Sequence, residues 1–304
     1  MNDVPRPREV VLDGGGIPLS GLLAEPRDGL PPRALVVAVH GGGMRAGYFH
    51  GLAHPGQSLL DIGARLGLAV LAVDRPGYGL SAARLPEGQN LAEQSVTLRA
   101  AIGRFAASYA PGAGIFVLAH SYGGKVALSA AAEPDGLDLL GLDISGCGHR
   151  YAADVGGMTQ STGRSMWKLN WGVLSLYPPD SFRRSRSLVA PVPRRESAEA
   201  HTWPERFPAI AARVRVPVRF TFAEHEHWWL RDEAAIATLT ASLGSARVVV
   251  DHLPRAGHNI SLGWAARSYH LRALAFLEEC LIDREQTLPN VRAGQSQDEV
   301  LTRH

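Results

Sequence analysis

The residues Phe116-Val117-Leu118-Ala119-His120-Ser121-Tyr122-Gly123-Gly124 form an apolar run that ends in a serine, followed closely by two glycines. The apolar run predicts a buried strand, and the glycines allow the chain to bend sharply into a helix. Such a bend exposes the serine side chain at the carboxyl end of the strand and points the helix N-terminus at it. We therefore predict that Ser121 is a nucleophile, with simple capping of a helix as the alternative.

Similar short apolar runs recur on both sides of this stretch and alternate with helical patterns. Uniformly apolar runs of this length are typical of strands buried on both faces, and alternation with helices predicts a mostly parallel sheet covered on both sides. The predicted class is therefore α/β. The other predicted strands are Val10–Leu12, Leu19–Glu25, Ala34–Val39, Leu68–Val73, Leu139–Ile144, Val218–Phe222 and Val248–Val250, and the predicted helices are Ser58–Leu66, Leu91–Phe105, Lys125–Ala132, Arg231–Leu243 and Leu271–Leu281.

The segment from Gly146 to Phe207 breaks this rhythm, because it is rich in proline, tryptophan and arginine and shows no clean periodicity. We interpret it as a cap inserted over the active site, with a long linker as the alternative; structureless loops of this length are uncommon in compact domains. The predicted organisation is a core domain over residues 9–145 and 208–283, a cap over 146–207, and a flexible C-terminal tail over 284–304.

Composition restricts the class of protein further. The chain has 304 residues, 45% of them hydrophobic and 20% charged, and its formal net charge of +2 does not suggest a nucleic-acid partner. The two cysteines, Cys147 and Cys280, form neither a disulfide framework nor a CxxC metal motif. No apolar run resembles a signal peptide or approaches the ~20 residues of a membrane span. We therefore expect a cytoplasmic location.

Glycines follow the first buried strand in the run His40-Gly41-Gly42-Gly43. Glycine frees the backbone to turn its N–H groups toward a ligand, and such donors stabilise the oxyanion of an acyl-transfer intermediate. This run lies at the same predicted sheet edge as the serine. We predict Gly42 and Tyr122 as the backbone donors and Gly43 as a third, with an ordinary glycine-rich turn as the alternative.

A histidine and a carboxylate complete the predicted site. His258 follows the last strand, in a loop at the active edge of the sheet, and imidazole is suited to take the proton of a serine near neutral pH. The carboxylate that orients it is expected after the preceding strand, where Glu226 is preferred and Glu224 is the alternative. Asp143, at the end of another strand, is a third candidate.

His225 and His227 flank the preferred carboxylate and raise the question of a metal site. Their spacing differs from H-E-x-x-H, and alternate residues of a strand or loop need not converge on one ion. We therefore predict no metal, and the reaction needs no organic cofactor.

These motifs together resemble the α/β-hydrolase superfamily and occur in its order. His40–Gly43 comes first, and Asp74-Arg75-Pro76-Gly77-Tyr78-Gly79-Leu80-Ser81 is similar to the D-x-P-G-x-G-x-S turn of the family. The nucleophile elbow at Ser121, an acid loop at Ala223–Glu226 and a Gly-His at His258 follow. The resemblance covers about Val10 to Leu281, and it implies a serine hydrolase whose insertion is a cap domain.

The sequence departs from the family pattern at three positions. Ala119 replaces the first glycine of G-x-S-x-G, Ala223 replaces the glycine of the acid loop, and Glu226 stands where aspartate is commoner. The resemblance does not fix the substrate, because this fold carries many chemistries.

The expected reaction is hydrolysis of an ester-type bond (carboxylic ester, thioester or lactone) in a small, largely apolar molecule. We expect substrate contacts from His40, His120, Trp167, Trp171 and Trp228, although the tryptophans could instead pack the cap onto the core. Arginines in the cap could meet an acyl-CoA or a carrier-protein thioester, or could simply be solvated. They are Arg183, Arg184, Arg186, Arg194 and Arg195.

Three rival functions stay open at this point. The same triad could perform C–C bond hydrolysis, lyase or acyl-transfer chemistry, or the protein could be a ligand-binding protein without catalysis. A proline iminopeptidase is the third rival. Acidic cap residues that would hold a substrate amine are sparse, although Glu196 and Glu199 are present.

Overall fold

The computed structural model describes residues 6–26, 29–133, 136–152 and 163–287. These residues form one eight-stranded sheet. Its strands are β1 (Arg8–Asp13), β2 (Pro18–Ala24), β3 (Leu35–Val39), β4 (Ala69–Val73), β5 (Ile115–His120), β6 (Leu139–Ser145), β7 (Val218–His225) and β8 (Val248–Gly257).

The strand order β1-β2-β4-β3-β5-β6-β7-β8 confirms the predicted, mostly parallel α/β sheet. The two leading strands pair antiparallel, β2 also runs antiparallel to β4, and all later neighbours are parallel. The parallel strands end at one edge, where the loops after β3, β5, β7 and β8 carry the predicted site residues. The topology therefore brings together segments that lie far apart in the sequence.

The helices either pack on the two faces of the sheet or lie in the predicted cap. They are α1 (Leu59–Arg65), α2 (Leu91–Tyr109), α3 (Tyr122–Ala131), α4 (Gly163–Trp171), α5 (Ser181–Arg184), α6 (Arg194–Glu199), α7 (Trp203–Ala211), α8 (Glu233–Ala241) and α9 (Ala266–Thr287). Side chains of α2, α3, α7 and α8 pack on one face, and those of α1 and α9 pack on the other. Successive residues of β3 alternate between these two cores, which explains why the whole strand is apolar.

Local sequence signals set the helix starts. Asn90 and Glu93 form a reciprocal capping box at the N-terminus of α2, and the Asp232 side chain accepts the amide of Ala235 at 2.8 Å to cap α8. Each cap satisfies an amide that would otherwise lack a partner in the first helical turn.

Two predicted boundaries fall inside helices of the structure. The cap was predicted to end at residue 207, but that position lies inside α7, whose residues Trp203, Phe207 and Ala211 are buried in the core cluster. The tail was predicted from residue 284, but α9 continues to Thr287. Residues 153–162 of the predicted cap and 288–304 of the predicted tail lie outside the described residues. Within the described ranges, no helix has the length and hydrophobicity to cross a membrane.

Candidate active site

Ser121 stands at a strained turn between β5 and α3. Its backbone has φ 52° and ψ −120°, a conformation that costs a residue with a side chain about 1–3 kcal/mol. The turn is held by the Ser121 amide, which donates to the carbonyl of Ser145 at 2.8 Å. A Cβ on Gly123 would lie 2.4 Å from the carbonyl oxygen of Val39, so only glycine lets α3 start this close to β3. The surrounding strands and helix therefore fix the serine in place.

His258 contacts the serine on one side and a carboxylate on the other. Its Nε2 lies 3.1 Å from Ser121 Oγ, and its Nδ1 lies 2.8 Å from Oε2 and 3.1 Å from Oε1 of Glu226. The Glu226 carboxylate also accepts the amide of Trp228 at 2.9 Å. His258 and Glu226 are 3% and 5% exposed, so their contact is shielded from water. This arrangement matches a base that is oriented by an acid and faces a nucleophile.

The other two candidate acids lie elsewhere. The Glu224 carboxylate accepts the backbone amide of Arg255 at 2.6 Å. Asp143 is buried and accepts hydrogen bonds from Arg219 and from the hydroxyl of Tyr269. Both carboxylates are hydrogen-bonded to these partners, and neither contacts His258. Among the described residues, no group of three or more His, Cys, Asp or Glu side chains could hold a metal ion.

The glycine loop after β3 lies directly against the nucleophile. A Cβ on Gly41 would sit 3.0 Å from Cβ of Ser121, so a side chain there would push the loop away. The Gly43 amide donates to the hydroxyl of Tyr78 at 3.1 Å, which removes it from the predicted oxyanion donors. Gly42 and Tyr122 remain the candidates. The amide of Tyr122 belongs to the first residue of α3, where helical amides lack an intrahelical acceptor.

His40 is completely buried, and backbone groups occupy both of its ring nitrogens. Nδ1 lies 2.8 Å from the carbonyl of Gly41, and Nε2 accepts the amide of Arg75 at 3.0 Å. Burial and the nearby Arg75 charge hold the pKa of His40 well below its ordinary value of 6.5. We therefore assign the neutral His40 ring to the scaffold of the glycine loop, in place of the predicted substrate contact.

His120 is also buried, between the ring of Tyr48 and that of the candidate base. Its ring stacks on Tyr48 at 4.8 Å and lies 4.8 Å from the ring of His258. Burial, followed by the proximity of His258, keeps the pKa of His120 well below 6.5. His120 is thus a neutral packing neighbour of His258, and its 1% exposure does not fit the predicted substrate contact.

The three predicted tryptophans occupy different surroundings. The Trp228 ring lies 6.0 Å from that of His258, and its Nε1 donates to Asn170 at 3.1 Å. Trp171 is nearly buried and packs mainly inside the cap, 5.0 Å from the Phe182 ring. Trp167 is 41% exposed. Of the three, Trp228 adjoins His258, and through Asn170 it links the loop after β7 to α4.

Most of the arginines in the predicted cap already face carboxylates. The pairs are exposed surface contacts. They are Arg183 and Arg184 with Asp180, Arg194 with Glu87, and Arg195 with Glu93. An anionic substrate would have to displace these partners.

Sequence reasoning missed a buried polar cluster beside the glycine loop. Arg75 of the D-R-P-G turn is 0% exposed and forms an ion pair with Glu196 of α6, which is 1% exposed. Tyr78 and Gln94 bond to the same carboxylate. The D-R-P-G-Y-G motif belongs to the family pattern, which does not indicate a partner for Arg75, and the isolated Glu196 carries no sequence signal of burial.

Lys125, one helical turn after the nucleophile, is a second buried charge that was missed. Its Nζ contacts the Tyr151 hydroxyl and lies 5.0–5.6 Å from the ring centres of Tyr122, Tyr151, Trp203 and Trp229. Burial lowers the pKa of this amine to about 8. The side chain ties α3 to the residues that follow β6 and to α7.

The comparisons with known proteins identify the family. Residues 36–277 match the model of the alpha/beta hydrolase family, which is well over half of the chain. The chain therefore belongs to the alpha/beta hydrolase family, as the motifs and their order indicated. A search of curated proteins found no significant match.

Solved structures share this fold at low sequence identity. A thermostable carboxyl esterase from Bacillus coagulans is 17% identical, with a TM-score of 0.67 over 91% of this chain and 99% of that one. An M. tuberculosis esterase is 21% identical, with a TM-score of 0.62 over 91% and 93%. A proline iminopeptidase from Mycobacterium smegmatis is 16% identical, with a TM-score of 0.59 over 91% and 99%. At these identities the likeness concerns the fold and leaves the reaction open.

Proposed function

We propose that this protein is a serine hydrolase that cleaves an ester-type bond of a small, largely apolar molecule through an acyl-enzyme on Ser121. The observation that carries the proposal is the contact chain from Ser121 Oγ through the His258 ring to the Glu226 carboxylate, at 3.1 and 2.8 Å. Serine is a weak nucleophile without such a base, and the strained elbow keeps its hydroxyl in reach of that base.

In the first step, Ser121 Oγ attacks the substrate carbonyl carbon while His258 Nε2 takes the hydroxyl proton. The Nδ1–H of His258 donates to Glu226, which stabilises the imidazolium that forms. The carbonyl oxygen becomes an oxyanion that accepts hydrogen bonds from the amides of Gly42 and Tyr122. Loss of one good donor of this kind costs about 3–4 kcal/mol of transition-state stabilisation.

In the second step, the His258 imidazolium protonates the leaving oxygen or sulfur, and the carbon–oxygen or carbon–sulfur bond breaks to leave the acyl group on Ser121. A water molecule then attacks the acyl carbon and gives its proton to His258. The serine oxygen leaves as a hydroxyl, and the carboxylic acid is released. Every proton in this cycle passes through one imidazole, and the chemistry needs no metal or organic cofactor.

The surroundings of the triad favour an apolar, uncharged substrate. The Trp228 ring is the aromatic neighbour of His258, and the cap adds Trp171, Tyr177 and Phe182 around β8 and its loop. The cap arginines with carboxylate partners on the surface give less support to an acyl-CoA or carrier-protein thioester. Glu196 and Glu199 are bonded to protein groups, which weakens the peptidase alternative.

The proposal is tested with 4-nitrophenyl esters of increasing acyl length, the matching alkyl thioesters and a lactone. We expect a burst of nitrophenol equal to the enzyme concentration when acylation outruns hydrolysis, and no burst from Ser121→Ala. Added alcohols that divert the acyl group to a new ester would identify a transacylase using the same intermediate. Turnover of a C–C substrate without any ester turnover by a folded enzyme would contradict the proposal.

A further inference from the structure

The Arg75–Glu196 pair joins the cap to the core at a place where no water can reach it. Arg75 follows β4, Glu196 lies on cap helix α6, and both are essentially inaccessible. Their atoms approach to 2.7 Å at Nη1–Oε2 and 3.0 Å at Nη2–Oε1. Burying two charges is expensive, and such a pair often contributes little to stability, so its retention beside an active site calls for another explanation.

The guanidinium of Arg75 holds the glycine loop by its carbonyls. Its Nε donates to the carbonyl of His40 at 2.8 Å, and its Nη2 donates to that of Gly41 at 3.0 Å. A trans peptide is planar, with its C=O and N–H on opposite sides, and the described residues include no cis peptide. Fixing the Gly41 carbonyl on Arg75 therefore fixes the Gly42 N–H in the opposite direction, away from Arg75.

Glu196 holds the guanidinium from its other side and reaches the same loop. Its carboxylate also accepts the Tyr78 hydroxyl at 2.9 Å and the Gln94 amide at 3.2 Å. A Cβ built on Gly42 would lie 3.2 Å from Glu196 Oε1, so the carboxylate packs on this glycine. The Tyr78 hydroxyl in turn accepts the Gly43 amide at 3.1 Å. The peptides before and after Gly42 are thus tied to one cluster.

We propose that Glu196 and Arg75 are positioning residues that set the Gly42 amide for the developing oxyanion, so that cap helix α6 completes a loop belonging to the core. The inference rests on the proposed serine-hydrolase function. Arg75 also balances the negative charge of Glu196, which would otherwise oppose an oxyanion forming next to Gly42. The guanidinium lies 4.9 Å from the ring centre of Tyr122, the residue that carries the other candidate donor.

The same helix offers a matched control. Arg195 is the neighbour of Glu196 in sequence and also bridges the cap to the core, through Glu93, but this pair is about two-fifths exposed. Arg195→Ala breaks a cap–core ion pair without touching the glycine loop. Glu196→Ala removes the anchor of Arg75, and Glu196→Gln removes the charge while keeping the volume and one acceptor oxygen, as a safeguard should the alanine variant fail to fold.

The experiment measures kcat and KM for 4-nitrophenyl acetate and the affinity of an alkyl trifluoromethyl ketone, which forms a tetrahedral oxyanion adduct. Thermal melts choose a temperature at which each variant is folded. For Glu196→Ala we expect kcat to fall about 10- to 100-fold, part of the effect of losing one oxyanion donor, with KM within about twofold of the wild type. The affinity of Glu196→Ala for the trifluoromethyl ketone should fall in parallel. Arg195→Ala should match the wild type in kcat, KM and ketone affinity.

Three outcomes would overturn the inference. Folded Glu196 variants with wild-type kcat and ketone affinity would reduce the pair to a structural contact, whatever their melting temperatures. A raised KM at constant kcat would make Glu196 a substrate-binding residue. An equal loss in Arg195→Ala would point to general loosening of the cap. A wild-type enzyme that neither hydrolyses esters nor binds the ketone would instead overturn the proposed function, and that failure is visible before any variant is compared.

Discussion

The two halves of the predicted cap contact the core through different kinds of interaction. The aromatic half, residues 163–187, uses the rings of Trp171, Tyr177 and Phe182, which lie 5.0–5.7 Å from one another. The charged half, residues 188–202, inserts the carboxylate of Glu196 into the buried cluster around Arg75. The first interaction is apolar and weakly directional, and the second consists of hydrogen bonds with defined partners.

This difference suggests a division of labour. Apolar contacts tolerate changes of shape, so the aromatic half is suited to form an apolar surface on which different acyl groups can pack. Charged hydrogen bonds fix orientation, so the charged half suits the positioning of a backbone amide. We expect substitutions in the aromatic half to alter KM and substrate preference, and substitution of Glu196 in the charged half to alter kcat.

The largest expected effect lies outside both halves, at Glu226, the acid of the proposed triad. Glu226→Gln keeps the shape of the side chain but removes the charge that orients and stabilises the His258 imidazolium, so kcat should fall about 10³- to 10⁴-fold. Glu224→Gln is the matched control and should stay within about threefold of the wild type, because its carboxylate contacts the Arg255 amide and not the base. Steady-state ester kinetics measure both, and equal losses would contradict this account.

At the core residue that pairs with the charged half, Arg75→Met should strongly lower the free energy of unfolding. It leaves the Glu196 carboxylate buried without its cation, at a cost of about 3–5 kcal/mol. The double variant Arg75→Met/Glu196→Leu removes both charges and should be the more stable of the two. Breaking the exposed pair with Arg195→Ala should cost less than about 1 kcal/mol.

Urea denaturation measures all of these differences. If Arg75→Met cost no more than Arg195→Ala, the buried and exposed pairs would be equivalent, and the claim that a buried ion pair fixes the charged half on the core would lose its basis.

Acid should lower the stability of the segment on which the aromatic half rests. Ser181 of that half donates to Leu262 at 3.0 Å, in a short 3-10 helix whose Ser261 hydroxyl lies 3.0 Å from His270 Nε2. Burial lowers the pKa of His270 from 6.5 to about 3, so the unfolded chain gains a proton below pH 6.5 that the native protein does not. Stability is therefore full above pH 6.5 and is lost as pH falls toward 3.

From about pH 7.5 to about pH 5, this histidine alone should remove about 2 kcal/mol of stability. The His270→Gln variant should therefore lose about 2 kcal/mol less stability than the wild type over this pH interval. Urea unfolding, monitored by tryptophan fluorescence, measures the difference. An identical pH dependence in both proteins would show that His270 does not titrate as its burial implies.

The smallest effect is expected for the aromatic neighbour of the triad. Trp228→Ala should raise KM for a medium-chain 4-nitrophenyl ester about 10-fold, with kcat within about threefold, because an apolar contact is lost that is made in ground state and transition state alike. Trp264, which is 47% exposed and packs on His54, supplies the control Trp264→Ala. A loss confined to kcat would move Trp228 from substrate binding to support of His258.

The fold was predictable because its information is local. Strands β3 and β4 are continuous apolar runs, β5 is apolar up to His120, and Ser121, Glu226 and His258 each follow a strand at the same sheet edge. The cluster that restrains the glycine loop was not predictable, because Glu196 lies 121 residues from Arg75 in an aperiodic segment. For the same reason the sequence carries no sign that the Gly43 amide has an acceptor within the protein, because the tyrosine that accepts it is 35 residues away.

The central claim is that Ser121 is an activated nucleophile, and a fluorophosphonate tests it most directly. Intact mass after exposure should show one adduct on the wild type, none on Ser121→Ala, and much slower formation on His258→Ala. Each variant is first shown to be folded by circular dichroism. A folded wild type that gains no adduct, or a Ser121→Ala variant that gains the same one, would contradict the account.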